Sequence, residues 1–262
     1  MKIFQLQKCL ELVMFTYGSQ TISNIGIIGF GRFGSFLAKI LKNSHQIKVY
    51  DKLDKSKTAK KIGVSFKNLE EVCQQQLIIL CVPISEIDKV LRKIKNKLKP
   101  GVIVMDTCSV KEYPAKLMKK YLLSETEIIA SHPMFGPDSG KYGLKGLQIV
   151  FWPLRIKKRN YQKILKVFKG LGLTIIQMSP KEHDQESALS LCLTHFVGRV
   201  LEKMKIPEPK IKTLGFQRLI EVRDNVKNDT WQLFKDIQTY NRFAKIWRRK
   251  FLKQAFKIDK QF

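Results

Sequence analysis

The sequence predicts an α/β chain: a doubly wound parallel sheet over residues 23–179, followed by a small all-α domain over residues 180–262. Three observations carry this. Short apolar runs alternate with helical stretches from residue 24 to about 178, as in parallel sheets with helices on both faces. A glycine triplet occupies the first strand-to-helix turn. After Ser179-Pro180 the strand signals stop and only helical periodicity continues.

The first strand, Asn24–Ile28, runs into Gly29-Phe30-Gly31-Arg32-Phe33-Gly34 and a helix-like stretch from Arg32 to Leu41. The first glycine allows a tight turn and the second lets backbone approach a pyrophosphate. The third lets helix and strand pack closely, with the helix N-terminus facing the phosphates. The second strand, Ile47–Tyr50, ends at Asp51, 22 residues after Gly29, where an acid accepts hydrogen bonds from an adenosine ribose. Together these are a Rossmann-type dinucleotide fingerprint, with Gly29, Gly31, Arg32, Phe33, Gly34 and Asp51 as cofactor contacts.

Further strands are expected at Val64–Phe66, Leu77–Val82, Val102–Met105, Glu127–Ala130, Gln148–Phe151 and Leu173–Met178. Ligands of such sheets lie beyond the carboxyl ends of the strands, so Val82 and Pro83 join the cofactor set and the next polar turns are candidates for chemistry. One is Asp106-Thr107-Cys108-Ser109-Val110-Lys111. Another is Ser131 to Gly140, a loop whose two prolines and two glycines would hold His132 at the functional edge. His183 and His195 also fall at or beyond strand ends, whereas His45 sits in a surface turn. His195 and Arg199 are four residues apart on one helical face and can together meet a carboxylate. No H-x-x-x-H or H-E-x-x-H run exists, so no metal is expected, and His183-Asp184 reads as a helix-start pair.

Beyond Pro180 one helical pattern covers Lys181–Met204, Pro207 and Pro209 break it, and helices follow at about Leu214–Val226 and Thr230–Phe256. This short stretch makes a small core, so it is expected to pack on the first domain and on a second subunit, as a dimerisation domain.

Composition narrows the class. With 262 residues and 44% apolar content the chain can pack a globular core. Its five cysteines are odd in number, scattered and never spaced as C-x-x-C, which points to a reducing cytoplasm. Residues 1–22 read as an extension with neither a signal peptide nor a span long enough to cross a bilayer. The net charge of +27 is spread over nearly every amphipathic helix, without an arginine-rich groove or an aromatic RNA-binding signature. No specific nucleic-acid or membrane partner is therefore expected. A positive field also draws in small anions.

Four segments together resemble the prephenate/arogenate dehydrogenase family of tyrosine biosynthesis: Gly-Phe-Gly-Arg-Phe-Gly-Ser-Phe-Leu-Ala (29–38), Asp-Thr-Cys-Ser-Val-Lys (106–111), Ser-His-Pro-Met-Phe-Gly-Pro-Asp-Ser-Gly (131–140) and Leu-Thr-His-Phe-Val-Gly-Arg-Val-Leu-Glu (193–202). The similarity runs from Asn24 to about Asn241. Thr213-Leu-Gly-Phe-Gln-Arg-Leu-Ile-Glu, with Asn228-Asp229-Thr230-Trp231 and Tyr240-Asn241, looks most like the plant-type arogenate branch.

The resemblance implies oxidative decarboxylation of a small anionic cyclohexadienyl substrate, prephenate or arogenate, with hydride passing to NAD or NADP. The product is 4-hydroxyphenylpyruvate or tyrosine. It implies that His132 accepts a hydrogen bond from the ring hydroxyl and that Ser109 orients this imidazole and touches the hydroxyl or the nicotinamide. His195 and Arg199, with Ser139 and Gly140, would bind substrate. Two positions depart from the family pattern. Bacterial members carry a ring-carboxylate arginine where this chain has Glu221, leaving Arg218 and Arg223 as alternatives. Plant-type members tend to Ser-Arg where this chain has Asp51-Lys52, which favours NAD over NADP because an aspartate repels a 2′-phosphate. The competing readings are another reductase with a dinucleotide domain and a helical dimer domain, and a non-catalytic redox-sensing binding protein.

Overall fold

The computed structural model describes residues 21–262. Most of the expected N-terminal extension lies outside the described residues, and Ile22, its last residue, is buried in the core. The sheet half is built as β1 (Asn24–Ile28), α1 (Arg32–Leu41), β2 (Gln46–Tyr50), α2 (Ser56–Ile62), β3 (Ser65–Phe66), α3 (Leu69–Cys73), β4 (Leu77–Leu80), α4 (Ile87–Ile94), β5 (Ile103–Asp106), α5 (Glu112–Tyr121), β6 (Glu127–Pro133), α6 (Pro137–Gly140), β7 (Gln148–Arg155), α7 (Lys158–Gly170) and β8 (Thr174–Gln177). One eight-stranded sheet results, in the order β3-β2-β1-β4-β5-β6-β7-β8.

The sequence periodicity follows from burial on both sheet faces. Ile25, Ile27, Ile79, Met105 and Ile129 pack against Leu37 and Leu41 of α1 and Ile164 and Phe168 of α7. Ile28, Ile78, Leu80, Val104 and Ile128 face Leu91 of α4 and Met118 of α5. The second cluster continues into Cys192, Ile237 and Ala244, so the helical half docks on that face of the sheet.

The sheet is not wholly parallel: β7 pairs antiparallel with β6, although β8 is parallel to β7. A parallel return needs a crossover element, and residues 134–147 hold only the single turn α6, so the chain folds straight back. The return also lengthens β6 past Ala130, pairing Ser131 with Phe151, His132 with Val150 and Pro133 with Ile149. His132 is therefore a ladder residue of a strand rather than the loop residue the sequence suggests.

In the helical half, α8 (Pro180–Ser187) passes through a π-helical stretch, Ala188–Leu193, into α9 (Thr194–Lys203). Ser179 caps α8 reciprocally with Glu182. Thr213 caps α10 (Leu214–Lys227) and Thr230 caps α11 (Trp231–Tyr240). The single helix expected over Thr230–Phe256 is interrupted, and α12 (Ala244–Asp259) is a separate element. The buried Asn241 causes the break. Its Nδ2 donates to the Asp184 carbonyl oxygen at 2.8 Å and to Ser187 Oγ at 3.2 Å, while its Oδ1 accepts from Phe243 N at 2.9 Å. An asparagine bound to the following turn competes with helix continuation.

Candidate active site

The three fingerprint glycines have three different surroundings. Gly29 has φ +95°, and a Cβ there would lie 2.4 Å from the Cys81 carbonyl oxygen, next to Val82. At Gly34 a Cβ would meet the Gly29 carbonyl oxygen at 2.0 Å, so only glycine lets α1 sit this close to β1. Around Gly31 no atom lies within 4 Å of a built Cβ. Gly31 also begins α1 with no side-chain cap, leaving the first amides of that helix for an incoming anion. An open cradle at an uncapped helix start fits a dinucleotide pyrophosphate, with Gly31, Arg32 and Phe33 as the residues that would hold it.

Asp51 closes the turn from beside. Its Oδ2 accepts from Phe30 N at 2.7 Å and its Oδ1 from Leu53 N at 3.0 Å, which fixes an anionic group at the end of β2. Val82 is half-buried against Gly29 and Pro83 is exposed at the end of β4. Arg32 leans away from the cradle: its guanidinium meets Asp138 Oδ2 at 2.8 Å and the Asn228 carbonyl oxygen at 2.6 Å. It thereby ties the start of α1 to the β6–β7 connection and to the turn between α10 and α11.

His132 is buried, at 5% exposure. Its Nδ1 lies 2.8 Å from His183 Nε2, and His183 Nδ1 lies 2.8 Å from Asp184 Oδ1. Both oxygens of Asp184 also accept backbone amides, Lys111 N at 2.7 Å and Glu112 N at 2.9 Å. Sequence reasoning missed His183 and Asp184, because they follow a strong Ser-Pro helix start and look like its first turn. Burial, then the nearby His183, Lys111 and His195, holds the His132 imidazole well below the usual histidine range, so it is neutral at physiological pH. The Ser109 hydroxyl, expected to orient this ring, makes no bond to it; Ser109 is half-buried beyond the end of β5.

Beneath the histidine lies a buried ion pair. Lys111 Nζ donates to Asp106 Oδ2 and to the Ser131 carbonyl oxygen. Asp106 further accepts Cys108 N at 3.1 Å and Ser131 N at 3.2 Å. The pair anchors β5 to β6 at Ser131, the residue before His132.

His195 and Arg199 come together as expected, on α9, and both are buried. His195 Nδ1 and Arg199 Nε are buried polar atoms without a partner among the described residues, which marks a place for an anionic or hydroxylic group. Burial, then Arg199, lowers the His195 imidazole to about 4. Arg199 also bonds Glu202 Oε2 at 2.6 Å and the Asp229 carbonyl oxygen. Ser139 and Gly140 take part in the turn of α6 instead of pointing free groups at a ligand. Gly136 N donates to Ser139 Oγ at 3.1 Å, and a Cβ on Gly140 would lie 2.4 Å from the Phe36 ring. Arg218 is exposed on α10, and Arg223 pairs with Asp224 at 3.0 Å and lines a groove with Ile206 and Phe216. Among the described residues no group of three or more His, Cys, Asp or Glu side chains is placed to hold a metal ion.

Residues 37–176 match the model of the prephenate dehydrogenase nucleotide-binding domain, and residues 200–261 match that of a TYRAAT1-like C-terminal domain. Arogenate dehydrogenase 2, chloroplastic, of Arabidopsis thaliana is 34% identical over 94% of this chain and 70% of its own length. Arogenate dehydrogenase 1, chloroplastic, of the same plant is 36% identical over 88% of this chain but only 39% of its own length. The solved prephenate dehydrogenase of A. aeolicus, in complex with hydroxyphenyl propionate and NAD+, shares the fold with a TM-score of 0.74 at 20% identity, covering 93% of this chain and 91% of that one. The chain belongs to the prephenate/arogenate dehydrogenase family of NAD(P)-dependent oxidoreductases.

Proposed function

We propose that the chain oxidatively decarboxylates arogenate, releasing tyrosine and carbon dioxide, with NAD as the oxidant. The observation that carries this reading is a buried, neutral His132 on the strand leading into the aromatic contact of Phe135 with Phe33 and Phe36 of α1, next to the glycine cradle. Arogenate is preferred over prephenate because the two Arabidopsis relatives carry the arogenate name.

A nicotinamide dinucleotide held through its pyrophosphate at Gly31, Arg32 and Phe33 would supply the hydride acceptor for the ring carbon that bears the hydroxyl. The residues of the chain do the rest. His132 accepts the hydrogen bond of that hydroxyl and pushes electron density toward the carbon as it is oxidised. Ser109, half-buried just beyond the end of β5, is assigned on the family resemblance to share the hydroxyl or the nicotinamide. The unpartnered Nδ1 of His195 and Nε of Arg199 receive an anionic group of the substrate, which orients the ring. Aromatisation supplies the driving force, so positioning and electrostatics are what the protein contributes.

Absorbance at 340 nm with purified protein, offering arogenate and prephenate with NAD and NADP in turn, tests the reading. Turnover of arogenate with NAD supports it. NAD binding without turnover of either substrate would move the non-catalytic reading to the front. Asp51 favours NAD, since its carboxylate repels a 2′-phosphate. Asp51→Ser is expected to raise the NADP to NAD ratio of kcat/KM by about 10-fold or more, equivalent to ~1.4 kcal/mol. An unchanged ratio removes Asp51 from cofactor choice.

On the same reading the helical half pairs with a second copy. Ile246, Leu252 and Phe256 are exposed within one sector of α12 about 120° wide, an apolar side that a second copy would cover. Light scattering is expected to return the mass of two chains, and a monomer at micromolar concentration would reject it. The four described cysteines are free, which suits a reducing compartment, and no described helix is long and apolar enough to cross a membrane. The cytoplasm is the proposed location, and cell fractionation decides between it and the plastid named in the Arabidopsis relatives.

A further inference from the structure

We propose that His183 and Asp184 form a positioning relay that fixes the tautomer of His132, leaving its Nε2 lone pair free for the reacting hydroxyl. This rests on the role given to His132 above.

A carboxylate only accepts, so the 2.8 Å contact of Asp184 Oδ1 with His183 Nδ1 places a proton on His183 Nδ1. A neutral imidazole with that proton has a bare Nε2. This Nε2 lies 2.8 Å from His132 Nδ1, so it accepts and His132 Nδ1 donates. His132 Nε2 is thereby left as the acceptor of the ring, and it has no hydrogen-bond partner among the described residues.

Every link is held rigid. Asp184 is fully buried and His183 is 2% exposed. The amides of Lys111 and Glu112, from the turn that leads into α5, bind the Asp184 carboxylate, and Asn241 binds the Asp184 carbonyl oxygen. The relay thus joins the sheet half to the helical half at the site itself. Without it His132 would choose between two nearly isoenergetic tautomers, one of which points an N–H at the substrate hydroxyl and cannot accept from it.

The charges around the pair favour this neutral chain. Lys111 from the β5–α5 turn and His195 from α9 disfavour a proton on His132, while Asp184 on α8 and Asp106 on β5 act in the opposite direction on His183. Burial is the largest influence on both rings and favours the uncharged form.

The test combines nitrogen NMR of imidazole-labelled protein with steady-state kinetics of the full chain. In the wild type, the signals lost in His132→Asn are expected to show a protonated Nδ1 and an unprotonated Nε2. His183→Leu removes the acceptor. It is expected to give mixed His132 tautomers and to lower kcat about 10²-fold with KM and NAD affinity little changed, as loss of a tautomer-fixing partner does. His183→Gln, whose side-chain carbonyl can accept from Nδ1–H, is expected to regain most of the rate.

A wild-type His132 protonated at Nε2 overturns the proposal, and so does a His183→Leu enzyme with unchanged kcat. Failure of the Gln variant to exceed the Leu variant also counts against it. If His183→Leu does not fold, the wild-type tautomer still decides. If instead His132→Asn keeps full activity while the tautomer is as stated, the base role of His132 fails and the relay stands as structure alone.

Discussion

His132→Asn is expected to lower kcat by about 10³-fold at neutral pH, with NAD affinity and KM for the cyclohexadienyl substrate nearly unchanged. Asparagine fits the space and keeps an N–H for His183, but it has no basic nitrogen to receive the hydroxyl's hydrogen bond in the transition state. The companion result is the pH profile. Burial beside His183, Lys111 and His195 lowers the His132 imidazole well below 6.5, so the neutral acceptor persists to lower pH than an exposed histidine allows. The acid limb of kcat/KM is therefore expected below that value, with the rate lost only as pH falls through the lowered pKa. A variant within a few-fold of wild type, or an acid limb at or above neutrality, would contradict the assignment.

The second large effect is on stability. Lys111→Met is expected to destabilise the chain by about 3–5 kcal/mol, because it strands the Asp106 carboxylate at 0% exposure with only backbone amides for partners. Against a total of roughly 5–15 kcal/mol for a domain, that is a large share. Urea unfolding followed by circular dichroism measures it. The double variant Asp106→Asn with Lys111→Met is expected to recover part of the loss, since asparagine removes the buried charge while its Oδ1 still accepts from one of the Cys108 and Ser131 amides. Where Lys111→Met still folds, removing its positive charge should also move the acid limb of the rate profile upward. A loss below 1 kcal/mol would mean that water reaches Asp106 on opening.

The central strands β1, β4, β5 and β6 were legible because they are buried on both faces and so written in mostly apolar letters. Gly29 and Gly34 were legible because backbone sterics leave few substitutes there, and Gly31 and Asp51 by their spacing from that pair. Strand direction was not. Nothing local in Gln148–Arg155 distinguishes an antiparallel return, which is decided by the absence of a crossover helix in residues 134–147. Pro133 added to the error, reading as a breaker when it closes a strand. The partner of His132 was hidden for a different reason: 51 residues separate it from His183, and hydrogen bonds over that distance follow from packing alone. At Asn241 the sequence offered one helix, and three side-chain hydrogen bonds to α8 and to the next turn took the residue out of it.

The π-helical stretch Ala188–Leu193 sets the angular phase between two histidines. Twelve residues separate His183 from His195, and in an unbroken α-helix they would sit about 120° apart around the axis. One residue of extra chain in a π turn retards the phase by about 100°, bringing both rings round toward His132, whose proton affinity each of them depresses. The run from Pro180 to Lys203 therefore carries a single residue of slack, stored in one place. Shortening the chain by one residue within 188–193 relaxes that turn to α-helix and leaves both histidines where they are, whereas the same deletion in the regular turns on either side rotates one of them away from the site.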